Sequence, residues 1–453
     1  MSVSTVYAPG ASPDNVTPVS PERVRNGAVP APGQAPMPAD DAASLLRRNA
    51  TDPDRRDRPA LKFADRVWTH RAYVSECRRF ANLFLSWPQP VDRGLHVGVL
   101  LDNTPDYLFA LGGAALAGAA VVGLNHTRRD EHLLRDIEHT HCDLVLSEPR
   151  HLPLLTPVAA SLPPLLVSHR FEDGDGSVGA EAQLIELGDD LDDALRTVTD
   201  DDPRVQPGPG RLWALILTSG TSSAPKAVIC TQRRLLVTGN RFCMMMDLGP
   251  DDVGYVCMPL FHSNALMVGW APSLVCGASV GLARRFSASR WLADVRHFGA
   301  TYFNYTGKPL AYIVSTAERP DDADNPLRVA FGNEGSPEVV DAFARRFGVE
   351  VIDAYGATEG GVAVNRDVEQ RAGALGQVGD NVKIVDEDGV EKPPAKFDAD
   401  GRLVNADECV GEIVNTAGAG PFEGYYNNPE ATERTLRFGW YWSGDLGYLD
   451  EDR

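Results

Sequence analysis

The chain has 453 residues, of which 43% are hydrophobic and 23% are charged, as in ordinary globular proteins. A formal net charge of −20 argues against a nucleic-acid partner, because neutralising phosphates requires clustered positive charge. The seven cysteines are scattered and include no C-x-x-C pair, which excludes most zinc-ribbon and disulfide-framework proteins. Since no signal peptide is visible either, the sequence indicates a cytoplasmic protein.

Residues 1–40 are rich in proline and small polar residues, so they predict a disordered tail. Folded sequence is expected to begin near Asp41, because Leu45 and Leu46 follow it with helical spacing. The uncharged run over residues 108–124 is too short and too rich in alanine and glycine for a membrane-spanning helix. It predicts a buried helix that passes into a strand.

Strand and helix patterns then alternate along the chain. Apolar runs predict strands over residues 97–101, 119–124, 144–146, 212–217, 254–258 and 279–282, with helices near Pro105, Arg129, 232–246 and 265–274. This alternation favours an α/β fold with a parallel sheet. The acidic stretch 189–202 is interpreted as a solvated linker, and Asp-Gly turns within residues 380–420 predict a small β-rich subdomain.

A segment rich in glycine and hydroxyl groups directly follows the strand predicted over residues 212–217. Its candidate phosphate-binding residues are Thr218, Ser219, Gly220, Thr221, Ser222 and Lys226. Backbone N–H and hydroxyl groups in such a turn can bind phosphate oxygens, and the lysine adds a positive charge. The spacing differs from that of a Walker A loop, so a plain polar turn with a surface lysine is the alternative.

Two later turns contain side chains that suit a nucleotide. In the first, Tyr355 offers a flat face for a base, and Glu359 offers a hard oxygen ligand for Mg²⁺. In the second, Asp445 lies between glycines, where its carboxylate can accept two ribose hydroxyls. Each segment taken alone could equally be an ordinary turn at the end of a strand.

The order of these three segments resembles that of the adenylate-forming (AMP-binding) enzymes, which include acyl-CoA synthetases, luciferases and peptide-synthetase adenylation domains. The resemblance covers residues 42–453, and residues 424–432 match a further signature of this superfamily. Within this superfamily, the chain is most similar to the branch of fatty-acid transport proteins and very-long-chain acyl-CoA synthetases. This similarity is seen in Ala227 after the loop lysine and in residues 259–263, 302–310 and 332–337.

This resemblance implies two α/β subdomains packed face to face over residues 41–379, followed by a distorted β-barrel over residues 380–453. It implies that the loop from Thr218 to Lys226 holds the ATP phosphates, and that Glu359 binds Mg²⁺ and Asp445 the ribose. Thr358 is expected near the α-phosphate and the substrate carboxylate, and His262 in the acyl pocket, unless His262 is simply a core histidine. The adenine pocket is expected to contain Glu334, Gly335, Ala354 and Tyr355.

The implied reaction is that of an acid–thiol ligase, which uses ATP and Mg²⁺ to convert a long-chain or similar apolar carboxylic acid into acyl-AMP and then, with CoA, into acyl-CoA. Two departures from the superfamily pattern stand out: Ser223 replaces a usual glycine, and the sequence stops before the hinge and C-terminal lid, so weak activity is expected. A non-catalytic fragment that binds nucleotide and fatty acid, and a ligase for sterol side-chain carboxylates, are the alternatives. Peripheral membrane contact and a homodimer are left open.

Overall fold

The computed structural model describes residues 39–172, 188–218, 225–365 and 374–451. Most of the tail predicted to be disordered, residues 1–38, lies outside this part of the chain. So do four of the six candidate phosphate-binding residues: Ser219, Gly220, Thr221 and Ser222. The division between residues 379 and 380 stays a prediction.

The helices and strands are named here in chain order. The strands are β1 (Pro59–Phe63), β2 (Arg66–Thr69), β3 (His96–Leu100), β4 (Ala120–Gly123), β5 (Leu144–Ser147), β6 (Leu165–Val167), β7 (Asp189–Asp190), β8 (Leu212–Thr218), β9 (Lys226–Thr231), β10 (Val253–Val256), β11 (Ser279–Leu282), β12 (Tyr302–Thr306), β13 (Val329–Asn333), β14 (Glu350–Gly356), β15 (Ala363–Asn365), β16 (Val382–Val385), β17 (Gly411–Asn415), β18 (Tyr425–Tyr426) and β19 (Tyr441–Gly447). The α-helices are α1 (Ala42–Thr51), α2 (His70–Ser86), α3 (Pro105–Ala117), α4 (Asp130–His139), α5 (Leu152–Leu155), α6 (Leu191–Arg196), α7 (Gln232–Met245), α8 (Ala271–Cys276), α9 (Trp291–Phe298), α10 (Pro309–Val314), α11 (Pro337–Phe347), α12 (Ala406–Cys409) and α13 (Pro429–Thr435).

Within the described residues, these strands form two sheets of eight and one of three. The N-sheet has the order β18-β9-β8-β4-β3-β5-β6-β7, and its strands from β8 to β7 run parallel. The C-sheet has the order β15-β14-β13-β12-β10-β11-β1-β2 and is parallel except at its two ends. The small sheet, β16-β17-β19, is antiparallel. The mixed α/β class predicted from the sequence is confirmed.

One continuous hydrophobic core joins the two large sheets, so the α/β units pack face to face as expected. The indole of Trp213 on β8 stacks on Trp270, with ring centroids 5.6 Å apart. At the strand ends, the buried amide of Asn103 donates to the carbonyl oxygens of Met258 at 2.9 Å and Ala283 at 3.2 Å. These contacts fix the carboxyl ends of the C-sheet strands against the N-sheet, which is where α/β sheets usually bind ligands.

The run over residues 108–124 is a buried helix followed by a strand, as predicted. Helix α3 begins with Pro105, whose missing N–H needs no partner in a first turn, and ends before Gly118 in the left-handed region, with φ of 71°. It is buried on all sides between other elements, which explains its uniformly apolar composition. No helix among the described residues is both long and apolar enough to cross a membrane.

The helix predicted over residues 265–274 takes a different form. Residues Asn264–Trp270 are π-helical, and the N–H of Ala271 reaches the carbonyl of Leu266, five residues back, before α8 begins. Hydrophobic spacing cannot separate this wider turn from an α-helix. Such π-helical turns are frequent at functional sites, and this one directly follows His262 and Ser263.

The interpretation of residues 189–202 as a solvated linker is wrong. The segment starts with β7 and continues into α6, whose Leu191 and Leu195 are buried in the main core. These two leucines are four residues apart and face the same side of the helix. Of the two aspartates between them, Asp193 faces solvent, whereas the half-buried Asp192 pairs with Arg170 at 3.2 Å. The acidic segment is therefore docked by this apolar pair together with ion pairs of its aspartates, such as that of Asp202 with Arg47 at 2.9 Å.

We predict that Leu191→Ala will lower the free energy of unfolding by about 2–5 kcal/mol, because it leaves a cavity in the core. The matched control is Asp193→Asn, since the side chain of Asp193 is 74% exposed and the change should cost less than about 0.5 kcal/mol. Urea denaturation measures both. Equal midpoints for the two variants would mean that the segment does not pack as described.

Candidate active site

The antiparallel hairpin of β8 and β9 presents the ends of the predicted phosphate loop. Thr218 and Lys226 lie opposite each other in the register, and the Thr218 hydroxyl donates to the Lys226 carbonyl at 3.4 Å. Residues 219–224, between these two ends, lie outside the described part of the chain. The half-buried Lys226 directs its ammonium toward the ring of Tyr425, with Nζ 5.2 Å from the ring centroid.

The turn after β14 is held by a residue that the sequence did not single out. Arg234 on α7 is buried, and its Nη2 donates to the carbonyl oxygens of Thr358 at 2.5 Å and Glu359 at 3.0 Å. Its Nη1 donates to the Ile229 carbonyl on β9 at 2.6 Å. One guanidinium therefore fixes the acidic turn of the C-sheet against the phosphate hairpin of the N-sheet.

The Glu359 carboxylate is only partly engaged. Its Oε1 accepts a hydrogen bond from the hydroxyl of Tyr425 at 2.6 Å. Among the described residues, no donor lies within hydrogen-bond distance of its Oε2. A half-buried anionic oxygen left open in this way suits a hard cation such as Mg²⁺, which takes one or two protein carboxylates and completes its shell with phosphates and water.

Thr358 links the segment that contains His262 to the turn after β14. The hydroxyl groups of Ser263 and Thr358 are hydrogen-bonded at 2.8 Å. The neighbouring His262 is exposed, so it is not the core histidine that the sequence left as an alternative. Partial desolvation, with a smaller contribution from the charge of His126, lowers the pKa of His262 below its ordinary value. Its imidazole is therefore neutral at pH 7.

The predicted adenine residues lie at the ends of β13 and β14. Gly335 donates its N–H to Oδ2 of Asp353 at 3.0 Å, and the Tyr305 hydroxyl donates to the same oxygen at 2.6 Å. A side chain at Gly335 would clash, since a Cβ would lie 2.7 Å from that oxygen. Glu334 is exposed and has a left-handed backbone, with φ of 66°.

Tyr355 and Asp445 are 90 residues apart in the sequence and directly hydrogen-bonded in the structure, where the phenol donates to the carboxylate. Burial, followed by the hydrogen bond to the Asp445 anion, raises the pKa of Tyr355. The buried Ala354 precedes Tyr355 on β14. The positions predicted for adenine and for ribose are thus neighbours, at an edge formed by the C-sheet and the small sheet.

A second polar cluster, which the sequence did not reveal, lies beside a cavity of about 390 Å³. Asp102 accepts hydrogen bonds from Arg150 at 2.5 Å and His151 at 2.9 Å, and Glu148 accepts one from Arg284 at 2.7 Å. Burial opposes ionisation of Asp102, yet the hydrogen bonds from His151 and Arg150 prevail and lower its pKa. Because two guanidinium groups already balance the two carboxylates, this cluster disfavours a metal cation.

Comparison with known proteins gives three findings. A family model described as AMP-binding enzyme matches residues 46–426. The steroid-22-oyl-CoA synthetase of Rhodococcus jostii (strain RHA1) is 45% identical over 399 residues, which cover 87% of this chain and 69% of that protein. The medium/long-chain-fatty-acid–CoA ligase FadD17 of Mycobacterium tuberculosis is 44% identical over 360 residues, which cover 79% of this chain and 64% of that protein. The chain therefore spans about two thirds of the length of these relatives.

Among solved structures, the N-terminal domain of FACL13 from Mycobacterium tuberculosis matches 91% of this chain and 98% of its own, with a TM-score of 0.74 and 20% identity. At this identity the similarity establishes the fold. It confirms the architecture expected from the sequence resemblance.

We predict that Gly335→Ala will lower the free energy of unfolding by about 1–3 kcal/mol, because the new methyl group displaces Asp353 from its two donors. Gly249→Ala is the matched control, since no atom lies within 4 Å of a Cβ at that position. Denaturant midpoints and ATP affinity should both fall for the first variant alone. Equal behaviour of the two variants would contradict the close packing seen at Gly335.

Proposed function

The chain belongs to the AMP-binding enzyme family, the adenylate-forming acyl-CoA synthetases, and from this membership we propose that it activates a medium- or long-chain fatty acid. The carboxylate would attack the α-phosphorus of ATP and release pyrophosphate. The CoA thiolate would then attack the acyl carbonyl of the acyl-AMP and release AMP. A steroid side-chain carboxylate is a second candidate substrate, supported by the relative from Rhodococcus jostii.

One observation supports this proposal above the others: the described residues expected to contact ATP converge although they are far apart in sequence. Lys226 and Glu359 both contact Tyr425, and Tyr355 contacts Asp445. This grouping supports a single nucleotide site, in which we propose Lys226 and Glu359 for the phosphates and the metal, and Tyr355 and Asp445 for the base and the ribose. The exposure of Asp445 and the half-burial of Lys226 and Glu359 leave these groups accessible to a ligand.

Each side chain has a physical task in the proposed reaction. Lys226 would neutralise phosphate charge, and the hydroxyl of Thr358, oriented by Ser263, would donate toward the α-phosphate or the substrate carboxylate. The neutral imidazole of His262 would border the acyl carboxylate without pairing with it. Mg²⁺, held by Glu359 and phosphate oxygens, would supply further charge neutralisation. Positioning by fixed groups is the main source of catalysis in such a transfer.

The direct experiment offers the protein ATP, Mg²⁺ and CoA together with a panel of carboxylic acids. The panel contains short, medium and long fatty acids and a steroid with a carboxylated side chain. Mass spectrometry identifies acyl-AMP and acyl-CoA. We expect products from the medium and long fatty acids. Products from the steroid alone would select the second candidate, and products from short acids alone would contradict an apolar acyl site.

The placement within the branch of fatty-acid transport proteins stays a prediction, as do the cytoplasmic location and the roles of individual residues. The alternative of a fragment that binds nucleotide and fatty acid without ligase activity predicts ATP binding but neither product. The same panel therefore separates the two functions.

We predict that Lys226→Ala will weaken ATP binding about tenfold or more and leave AMP binding within about twofold. The reason is that the ammonium is expected to reach phosphates that AMP lacks, and a hydrogen bond to a charged group contributes about 1.5–3 kcal/mol. Calorimetry with both nucleotides makes the measurement. Lys308→Ala, at an exposed lysine before α10, is the control. Equal losses for ATP and AMP would contradict the assignment.

We predict that Glu359→Gln will abolish Mg²⁺-dependent adenylation while the unfolding midpoint stays close to that of the wild type. An amide keeps the size of the side chain and loses the negative charge that a hard cation requires. Pyrophosphate release is measured against Mg²⁺ concentration. Glu430→Gln, a change in a side chain that is 79% exposed on α13, should leave the profile unchanged. An unaltered rate at limiting Mg²⁺ in Glu359→Gln would refute the metal role.

A further inference from the structure

We propose that Tyr425 is a positioning residue that keeps the carboxylate of Glu359 and the ammonium of Lys226 apart and ready to receive MgATP. This inference rests on the proposed function and extends it to a residue in the signature 424–432, for which the sequence provided no role. It follows from two contacts made by one side chain, one through its hydroxyl group and one through its ring.

The hydroxyl contact fixes Glu359. The phenol donates its only proton to Oε1 at 2.6 Å, a length typical of a hydrogen bond to a charged acceptor. This bond orients the carboxylate plane and leaves Oε2 open among the described residues. The backbone of Glu359 is fixed separately, since Arg234 holds its carbonyl oxygen at 3.0 Å. Main chain and side chain are thus restrained by different groups.

The ring contact positions Lys226. A cation within about 6 Å of an aromatic centroid is attracted to the ring face, and Nζ lies at 5.2 Å. This interaction needs no hydrogen-bond acceptor, so the ammonium keeps its donors for phosphate oxygens. Without the ring, Lys226 and Glu359 could form an ion pair, and their charges would neutralise each other before a nucleotide binds.

Tyr425 itself is rigidly held, as a positioning residue must be. It is 6% exposed, and its strand pairs with β9 so that Tyr425 lies opposite Val228. Its N–H donates to the hydroxyl of Thr432 at 3.0 Å, and its ring packs edge-on against Phe422 with centroids 4.9 Å apart. The position of the phenol is therefore set before any ligand binds.

Two substitutions separate the two contacts. Tyr425→Phe removes the hydroxyl and keeps the ring, whereas Tyr425→Leu removes both. The matched control is Tyr426→Phe, because the adjacent Tyr426 hydrogen-bonds to Nδ1 of His141 at 3.0 Å and contacts neither charged group. Calorimetry measures ATP affinity with and without Mg²⁺ in the full chain, and pyrophosphate release measures the Mg²⁺ concentration at half-maximal rate.

For Tyr425→Phe we expect metal-free ATP affinity within twofold of the wild type and a Mg²⁺ requirement raised roughly five- to tenfold. For Tyr425→Leu we expect the same loss of Mg²⁺ response and, in addition, weaker metal-free ATP binding. Tyr426→Phe should change neither quantity. Because the gain in affinity on adding Mg²⁺ is a ratio within one protein, a general loss of stability cancels from it.

An unchanged Mg²⁺ response in Tyr425→Phe would overturn the proposal, and so would a wild-type ATP affinity that does not depend on Mg²⁺. Failure of the proposed function looks different. In that case the wild-type protein shows no carboxylate-dependent pyrophosphate release, while the calorimetric comparison still reports whether Tyr425 couples ATP to Mg²⁺.

Discussion

The short pairing of β18 with β9 is the contact on which the candidate site depends. This pairing places Tyr425 opposite Val228. Tyr425 in turn joins the phosphate hairpin to the acidic turn after β14. A two-residue strand contributes few hydrogen bonds of its own. It is stabilised by the apolar cluster beneath it, where Val228 and Tyr425 pack with residues of the small sheet. Packing therefore positions the polar groups.

Arg234 also fixes the geometry of the site from a buried position. Burial of a guanidinium costs free energy unless its donors are satisfied, and here three carbonyl oxygens, one on β9 and two in the turn after β14, accept hydrogen bonds from Arg234. The carbonyl acceptors leave the Glu359 carboxylate uncompensated by Arg234. The buried guanidinium of Arg234 thus fixes the main chain of the turn, and the negative charge of Glu359 stays accessible to a ligand. Asp102 and Glu148 show the opposite solution, since arginines neutralise them.

Most of the helices and strands that the sequence predicted are present, because such elements depend on local properties; the roles of the candidate site residues stay a prediction. The start of α3 at Pro105 and the strand before Thr218 follow from nearest neighbours alone. The contacts of Tyr425 with Glu359 and of Arg234 with the same turn could not be predicted, since they join segments 66 and 125 residues apart. The acidic segment was wrongly predicted to be a linker because its acidic composition masks the helical spacing of Leu191 and Leu195.

Formation of an acyl-adenylate at the candidate active site can be followed by exchange of labelled pyrophosphate into ATP, because this exchange needs no thiol. The protein is incubated with ATP, Mg²⁺ and labelled pyrophosphate, with and without a long-chain fatty acid. We expect label in ATP only when the acid is present, and loss of that signal in Glu359→Gln. Folded protein that binds ATP yet shows no acid-dependent exchange with any member of the carboxylate panel would contradict this expectation.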